Sequence, residues 1–240
     1  MQCVVLAGGL GSRMAPLTDA LPKSMIPVLG RPFIDHQLDW LARQGIRDVV
    51  LAIGHLGTNI RDFVGDGRKW AVTVRYVEDG ENLLGTAGAL RRVIDRQLLA
   101  DGFFVLYGDS YLQTSFRDVW AASGQGQFPL MTVFRNDNAW DDSNVLLSDG
   151  EIALFEKGRI DARSLGMRHI DYGLSVLTAA TITEWVVPGV PADLANLFHE
   201  LSIQRKLRAF EVFDRFYEIG SPQGLADFEE YLANEDKHGV

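Results

Sequence analysis

The chain has 240 residues, with 23 Lys and Arg against 32 Asp and Glu for a net charge of −9, and 47% of it is hydrophobic. Those figures describe a soluble globular chain able to bury a large core without disulfide or zinc support. The acidic balance argues against a general nucleic-acid binder, and no run of about 18 apolar residues is present to span a membrane.

Cys3–Leu6 is a short apolar run that reads as the first strand and stops at Ala7-Gly8-Gly9. The chain enters this strand at once, without the charged and apolar regions of a signal peptide. Its single cysteine, Cys3, makes no internal disulfide, and a cytoplasmic location is expected. A loop rich in Gly, Pro, Ser and Thr runs to about Pro32, which is placed at N1 of a helix. Ile34, Leu38 and Leu41 give that helix its apolar face, and Gly45 stands where a left-handed cap belongs. Asp48–Ile53 is a strand buried on both faces. A short helix carries Ile60, Phe63 and Val64, a strand Val72, Val74 and Tyr76, and a helix Leu90, Val93, Ile94 and Leu98. Phe103–Tyr107 is another apolar strand, ending at Gly108-Asp109. This alternation predicts a mainly parallel sheet with helices on both faces.

Two apolar runs around Asp149-Gly150 predict a hairpin over 145–155. A strand at Tyr172–Leu177, helices near 180–187 and 192–207 and a strand at Arg208–Phe213 follow. Phe216–Ile219 is a candidate last strand, and Pro222 opens a final helix with Leu225, Phe228 and Leu232 inward. Neither a linker nor a repeat is visible, so a single domain over 1–240 is expected.

The segment Leu6-Ala7-Gly8-Gly9-Leu10-Gly11-Ser12-Arg13-Met14, followed by Pro22-Lys23-Ser24-Met25-Ile26-Pro27, carries the strongest chemical signal. Glycines at a strand end let backbone N–H groups approach an anion, and Arg13 and Lys23 add the positive charge that a polyphosphate requires. The loop is not a dinucleotide fingerprint, because position 14 is Met, and Gly11-Ser12-Arg13 breaks a Walker A pattern. Asp109 ends an apolar strand, at the sheet edge where ligands of open α/β folds sit.

Taken together, the glycine loop and the Pro-Lys segment resemble the signature of sugar-1-phosphate nucleotidylyltransferases. Further segments follow in that family's order: Leu84-Gly85-Thr86-Ala87-Gly88-Ala89-Leu90, Phe104–Ser110, Glu156-Lys157, Asp171-Tyr172-Gly173 and Tyr217–Pro222. The fold implied is a Rossmann-like three-layer α/β/α sandwich with a mostly parallel mixed sheet and a small β-hairpin insertion. The length matches a bare transferase core of that family.

The resemblance implies a reaction in which a nucleoside triphosphate and a sugar 1-phosphate give a nucleotide sugar and pyrophosphate. Arg13, Lys23 and Asp109 would be catalytic. Leu6, Ala7, Gly8, Gly9, Gly11, Ser12, Gly85, Thr86 and Gly108 would hold the nucleotide. Asn144, Glu156, Lys157 and Gly173 would hold the sugar phosphate. Asp109 and Glu218 would bind Mg²⁺, Glu218 standing where most of the family carries Asp. The Leu-Gly-Thr-Ala-Gly-Ala segment is closest to mannose- and heptose-1-phosphate guanylyltransferases, which favours GTP and a manno-configured sugar. UTP with an amino-sugar phosphate, and CTP with a phosphonate or sugar phosphate, stay open. So does a nucleotide-sensing domain without turnover, motivated by Glu218.

No nucleic-acid or membrane partner is expected, and a homo-oligomer is left open. Gly108-Asp109-Ser110 also resembles the nucleophile block of Gly-Asp-Ser esterases. That family places the block near the N-terminus and follows it with Asp-x-x-His, whereas His238 here follows Glu235. His36, His55, His169, His199 and His238 show no metal-ligand spacing. Trp40, Trp70, Trp120, Trp140 and Trp185 are scattered and mostly fit core or rim positions, and the Asp141-Asp142 pair reads as a solvated turn.

Overall fold

Apolar runs too short for helices build most of the strands. The computed structural model describes residues 1–9, 11, 14–80, 83–137, 139 and 142–238, with side chains described as far as 235. Ser12, Arg13, Trp140, Asp141 and the His238 side chain therefore lie outside the described residues. β1 (Gln2–Ala7) is followed by a two-residue pair, β2 (Pro27–Val28) and β3 (Arg31–Pro32), and by α1 (Phe33–Arg43). Then come β4 (Asp48–Ile53), α2 (Gly57–Val64), β5 (Thr73–Glu78), α3 (Gly85–Asp95), β6 (Gly102–Tyr107), β7 (Ser110–Tyr111) and α4 (Phe116–Ala122). The second half comprises β8 (Leu130–Arg135), β9 (Val145–Ser148), β10 (Glu151–Phe155), β11 (His169–Thr178), α5 (Ala179–Trp185), α6 (Leu194–Ile203), β12 (Arg208–Val212), β13 (Tyr217–Glu218) and α7 (Pro222–His238).

Nine strands form the main sheet, in the order β5-β4-β1-β6-β11-β8-β12-β10-β9. β5, β4, β1 and β6 run parallel, whereas β11 is antiparallel to both β6 and β8. β12 restores a parallel pairing with β8, and the β9–β10 hairpin closes that side. The predicted hairpin is thus the terminal pair of the main sheet. Its turn places Asp149 at φ 55° and Gly150 at φ 78°, as a two-residue hairpin turn of the primed type requires.

Side chains alternate between the two faces. Val5, Leu51 and Leu106 lie in register on one face, under α1 residues Ile34, Leu38 and Leu41. Val4, Val50 and Val105 lie in register on the other, against Leu90 and Val93 of α3 and Phe198 and Leu201 of α6. All are buried, so the sheet is the middle of three layers. A third cluster packs Phe228 of α7 against Met14, Ile26, Phe33, Tyr111 and Ile219. It clamps the 23–28 segment and β13 to the body of the fold.

Several expectations shift in detail. Pro32 is the residue before the helix (ψ 142°), one place ahead of the N1 position predicted for it. Gly45 takes the left-handed conformation expected, at φ 80°. The predicted strand at Tyr172–Leu177 is longer, His169–Thr178, and β8 and α4 have no counterpart in the sequence reading. No described helix is long and apolar enough to cross a membrane.

Candidate active site

The registers align the carboxyl ends of the parallel strands, with Ala7 beside Ile53 and Ile53 beside Glu78, while Leu6 lies beside Tyr107. Four loops therefore leave the sheet side by side, and the chain runs outward from β1 through β4 to β5 before crossing back to β6 on the other flank of β1. That is the switch point at which open α/β sheets bind ligands. A cavity of about 340 Å³ lies there. Leu6, Ala7, Gly8, Gly9, Gly11, Gly85, Thr86 and Gly108 line it, as do Lys23 and Asp109. Ser24, Ala52, Asp79, Leu83, Ala89 and Tyr107 complete the lining without having been singled out from the sequence.

The glycines in this wall serve different ends. A Cβ on Gly9 would meet nothing within 4 Å, so its main chain is open to the cavity. Gly85, at φ 71°, is needed for packing, since a Cβ there would sit 2.5 Å from the Ala192 carbonyl oxygen. That oxygen accepts from the N–H groups of Ala87 (3.0 Å) and Gly88 (3.2 Å), satisfying two donors at the start of α3. Thr86 is occupied too, its hydroxyl donating to Asp193 (3.0 Å) and accepting from the Leu194 N–H (2.7 Å).

A second cavity, of about 730 Å³, opens on the far side of β6. Asn144, Lys157, Gly173 and Glu218 line it, and Tyr107 and Asp109 belong to both cavities. The Lys157 ammonium lies 5.9 Å from the centre of the Tyr107 ring. Asn144 Oδ1 accepts from the Asp171 N–H, and Asp171 Oδ1 accepts from the Gly173 N–H, each at 3.0 Å. The φ of 100° at Gly173 aims its N–H at that carboxylate, and other residues rarely adopt it. Burial pushes the Asp171 carboxyl up, against the pull of Lys157, the Gly173 N–H and the Tyr107 hydroxyl. Burial also holds the Tyr107 phenol well above its ordinary range, with Asp171 adding to the effect.

Glu156 departs from its expected position. It does not line the cavity, and its carboxylate accepts from Arg159 Nη1 at 2.5 Å. Its main-chain N–H instead donates to the carbonyl of Asn144 (2.9 Å), the residue just before β9.

Where the cavities meet, Lys23 is ion-paired with Asp109. Glu218 joins them because β13 pairs with β7, placing Glu218 opposite Ser110. A Cβ built on Gly220 would lie 3.0 Å from Lys23 Nζ and 3.1 Å from Glu218 Oε2, so both side chains converge on that glycine. The nucleotidyl transferase family model matches residues 2–140, more than half of the chain. The chain belongs to the nucleotidyl transferase family. It is 31% identical over 236 residues to the D-glycero-α-D-manno-heptose 1-phosphate guanylyltransferase of Campylobacter jejuni, covering 98% of this chain and 100% of that one. It is also 31% identical over 121 residues to the UTP–glucose-1-phosphate uridylyltransferase of Synechocystis, but that match spans only 31% of the uridylyltransferase. The HddC structure from Yersinia pseudotuberculosis complexed with GMP-PN superposes with a TM-score of 0.78 at 24% identity, covering 96% of this chain and 99% of that one. This likeness carries the fold.

This nucleotidyl transferase offers a metal two carboxylates, Asp109 and Glu218, at one cavity. Among the described residues no group of three or more His, Cys, Asp and Glu could hold an ion. Such a set fits a hard cation that takes its other oxygen ligands from phosphates and water, as Mg²⁺ does, and not a structural zinc. None of His36, His55, His169 and His199 lines either cavity. His36 and His199 are tied to the carbonyls of Val28 and Phe155, and His169 to Glu211.

Tyr107, Asp171 and Arg215 line the second cavity without having been assigned a role from the sequence. Tyr107 and Asp171 were within quoted segments but were read as flanks of a glycine. Arg215 stands in an irregular stretch with no local pattern.

Proposed function

We propose that the chain transfers a nucleoside monophosphate from a nucleoside triphosphate to a sugar 1-phosphate, releasing pyrophosphate. GTP and a manno-configured hexose or heptose 1-phosphate are the favoured pair. One observation carries this reading: two cavities, one walled by the glycine loop and one by Lys157, share Asp109 and Tyr107. Two anionic substrates seated in them would bring a phosphate oxygen of one against the α-phosphorus of the other. The full-length likeness to a heptose 1-phosphate guanylyltransferase supports the choice of base and sugar.

The residues present suit such a transfer. A sugar phosphate has a second pKa near ~6 and is largely a dianion at neutral pH, so it attacks without a general base. The obstacle is repulsion between anions, which positioning and fixed positive charge relieve. Lys157 holds the attacking phosphate, Lys23 neutralises the triphosphate, and Arg13 is assigned the same task from the sequence. A phosphate oxygen bonds to the α-phosphorus as its bond to the β-phosphate oxygen breaks, and pyrophosphate leaves with that electron pair. Asp109 and Glu218 would hold Mg²⁺, which when bound neutralises phosphate charge at the reacting centre. The Asp109 carboxylate that would help hold the ion is the one now paired with Lys23.

The test is pyrophosphate release over a panel of four nucleoside triphosphates and several sugar 1-phosphates, with the nucleotide sugar identified by mass. The expected result is equimolar pyrophosphate and GDP-sugar from GTP and a manno-configured substrate. Uridylyl or cytidylyl product would keep the reaction and change the substrates. Nucleotide binding with no pyrophosphate from any pair would replace the reading with a sensing domain.

A further inference from the structure

The nucleotide cavity has two chemically different ends. It runs along the carboxyl ends of β5, β4, β1 and β6, with Asp109 following β6 and Asp79 following β5. Three inter-strand spacings of about 4.8 Å separate those ends by roughly 14 Å. If the phosphates lie between Lys23 and Asp109, as the proposed function requires, the base extends toward β5. There the walls are Ala52, Leu83 and Ala89, apolar surfaces that suit a flat ring, together with one carboxylate, Asp79.

Asp79 is 7% exposed and held firmly. Its N–H donates to the Ile53 carbonyl at 3.0 Å, and Arg92 Nη1 donates to its main-chain oxygen at 2.6 Å. The Oδ2 atom is tucked against the main chain of two neighbouring strand ends. A Cβ on Gly8 would lie 3.1 Å from it, and one on Gly54 3.3 Å. No ion pair to the carboxyl is found among the described residues. Burial pushes its pKa up in spite of Arg92 and the Leu84 N–H, so the carboxylate is under-compensated where it stands. An ionised carboxylate only accepts hydrogen bonds and has about four lone-pair sites, which leaves acceptor capacity for a ligand.

We propose that the Asp79 carboxylate selects guanine, accepting hydrogen bonds from the ring N1–H and the 2-amino group. Guanine is the base that presents two adjacent donors on one edge. Adenine and cytosine set a ring-nitrogen acceptor beside their amino group, and uracil flanks its single N–H with two carbonyls. Each of those edges brings a lone pair against the carboxylate, so Asp79 rejects the wrong bases as well as holding the right one. This assignment rests on the proposed nucleotide site and deepens it by naming the residue that reads the base.

The test is equilibrium binding of GMP, IMP, XMP and UMP to the full chain and to Asp79→Asn. IMP lacks the 2-amino group, so the wild-type chain should bind GMP about tenfold or more tightly than IMP, the equivalent of one charge-assisted hydrogen bond. XMP carries a carbonyl in place of that amino group and should bind the wild type more weakly still. In Asp79→Asn the GMP-over-IMP gap should close and XMP should gain, because the amide donates to the 2-carbonyl and accepts from N1–H. Equal wild-type affinity for GMP and IMP, or an unchanged gap in the variant, overturns the assignment. The ligand comparison on the wild type stands even if the variant fails to fold. A wild-type preference for UMP would overturn the role of Asp79 while leaving a nucleotide site intact, whereas failure to bind any of the four would overturn the nucleotide site itself.

Discussion

Gly85 and Gly45 allow one clean separation of backbone conformation from packing. Both have positive φ, 71° and 80°. A Cβ on Gly45 meets nothing within 4 Å, whereas one on Gly85 would lie 2.5 Å from the Ala192 oxygen and 3.1 Å from its carbonyl carbon. Gly45→Ala should therefore cost only the left-handed conformation, about 1–2 kcal/mol. Gly85→Ala adds the displacement of the 190–194 segment, which is held by hydrogen bonds of 3.0 Å from Ala87, 3.2 Å from Gly88 and 2.8 Å from Ala192 to Leu84. At roughly 0.5–1.5 kcal/mol each, losing these three costs a further 1.5–4.5 kcal/mol or so. Urea denaturation of the two variants, read at unchanged m-value, measures the difference directly. Equal destabilisation would refute the claim that Gly85 is demanded by Ala192. If Gly85→Ala were then found to lose nucleotide affinity alone, its role would be substrate contact.

Other substitutions probe the site and the scaffold. Gly220→Ala should shift stability by less than about 1 kcal/mol, since the atoms it meets are flexible side-chain ends. Turnover should nevertheless fall about tenfold or more, because Lys23 and Glu218 are pushed out of place; steady-state kinetics would show it. Lys157→Ala should raise the KM for the sugar phosphate far more than that for the triphosphate, measured by varying each substrate in turn. Asp35 tests a charge that lines neither cavity. Burial raises its pKa, but hydrogen bonds from Arg31, Lys69 and the Trp70 indole prevail and hold it at about 2. A folded pKa below the unfolded value gives stability that is complete above about pH 5 and fades as pH falls toward 2. Asp35→Asn should thus unfold at lower denaturant than wild type at pH 7, with the gap closing on acidification.

The parallel half of the fold was legible because β1, β4 and β6 are apolar runs ended by a turn residue or by the loop that carries chemistry, while β5 alternates apolar and polar residues. Phe103–Tyr107 stops at Gly108-Asp109, and Asp48–Ile53 stops at Gly54. β8 escaped notice although Leu130–Phe134 is nearly as apolar, because nothing chemical marks either end. Its place between β11 and β12 is a long-range pairing that no local pattern encodes. The same limit governs the site. Lys23, Asp109 and Lys157 stand in local motifs that the sequence displays, and they line the two cavities. Asp79 belongs to the cavity only because β5 lies beside β4, a fact of sheet order. Glu156 was read correctly as the neighbour of Lys157, but its carboxylate turns to Arg159, three residues on, where chain direction alone gives no warning.

Joining the two cavities at Asp109 is the centre of the account. Pyrophosphate release by Asp109→Asn, compared with wild type under GTP and a manno-configured sugar 1-phosphate, tests it most directly. The account predicts a fall of about 10³-fold or more, the scale of losing a central electrostatic group, with an unfolding midpoint close to that of wild type. A variant that keeps near-wild-type turnover would contradict it.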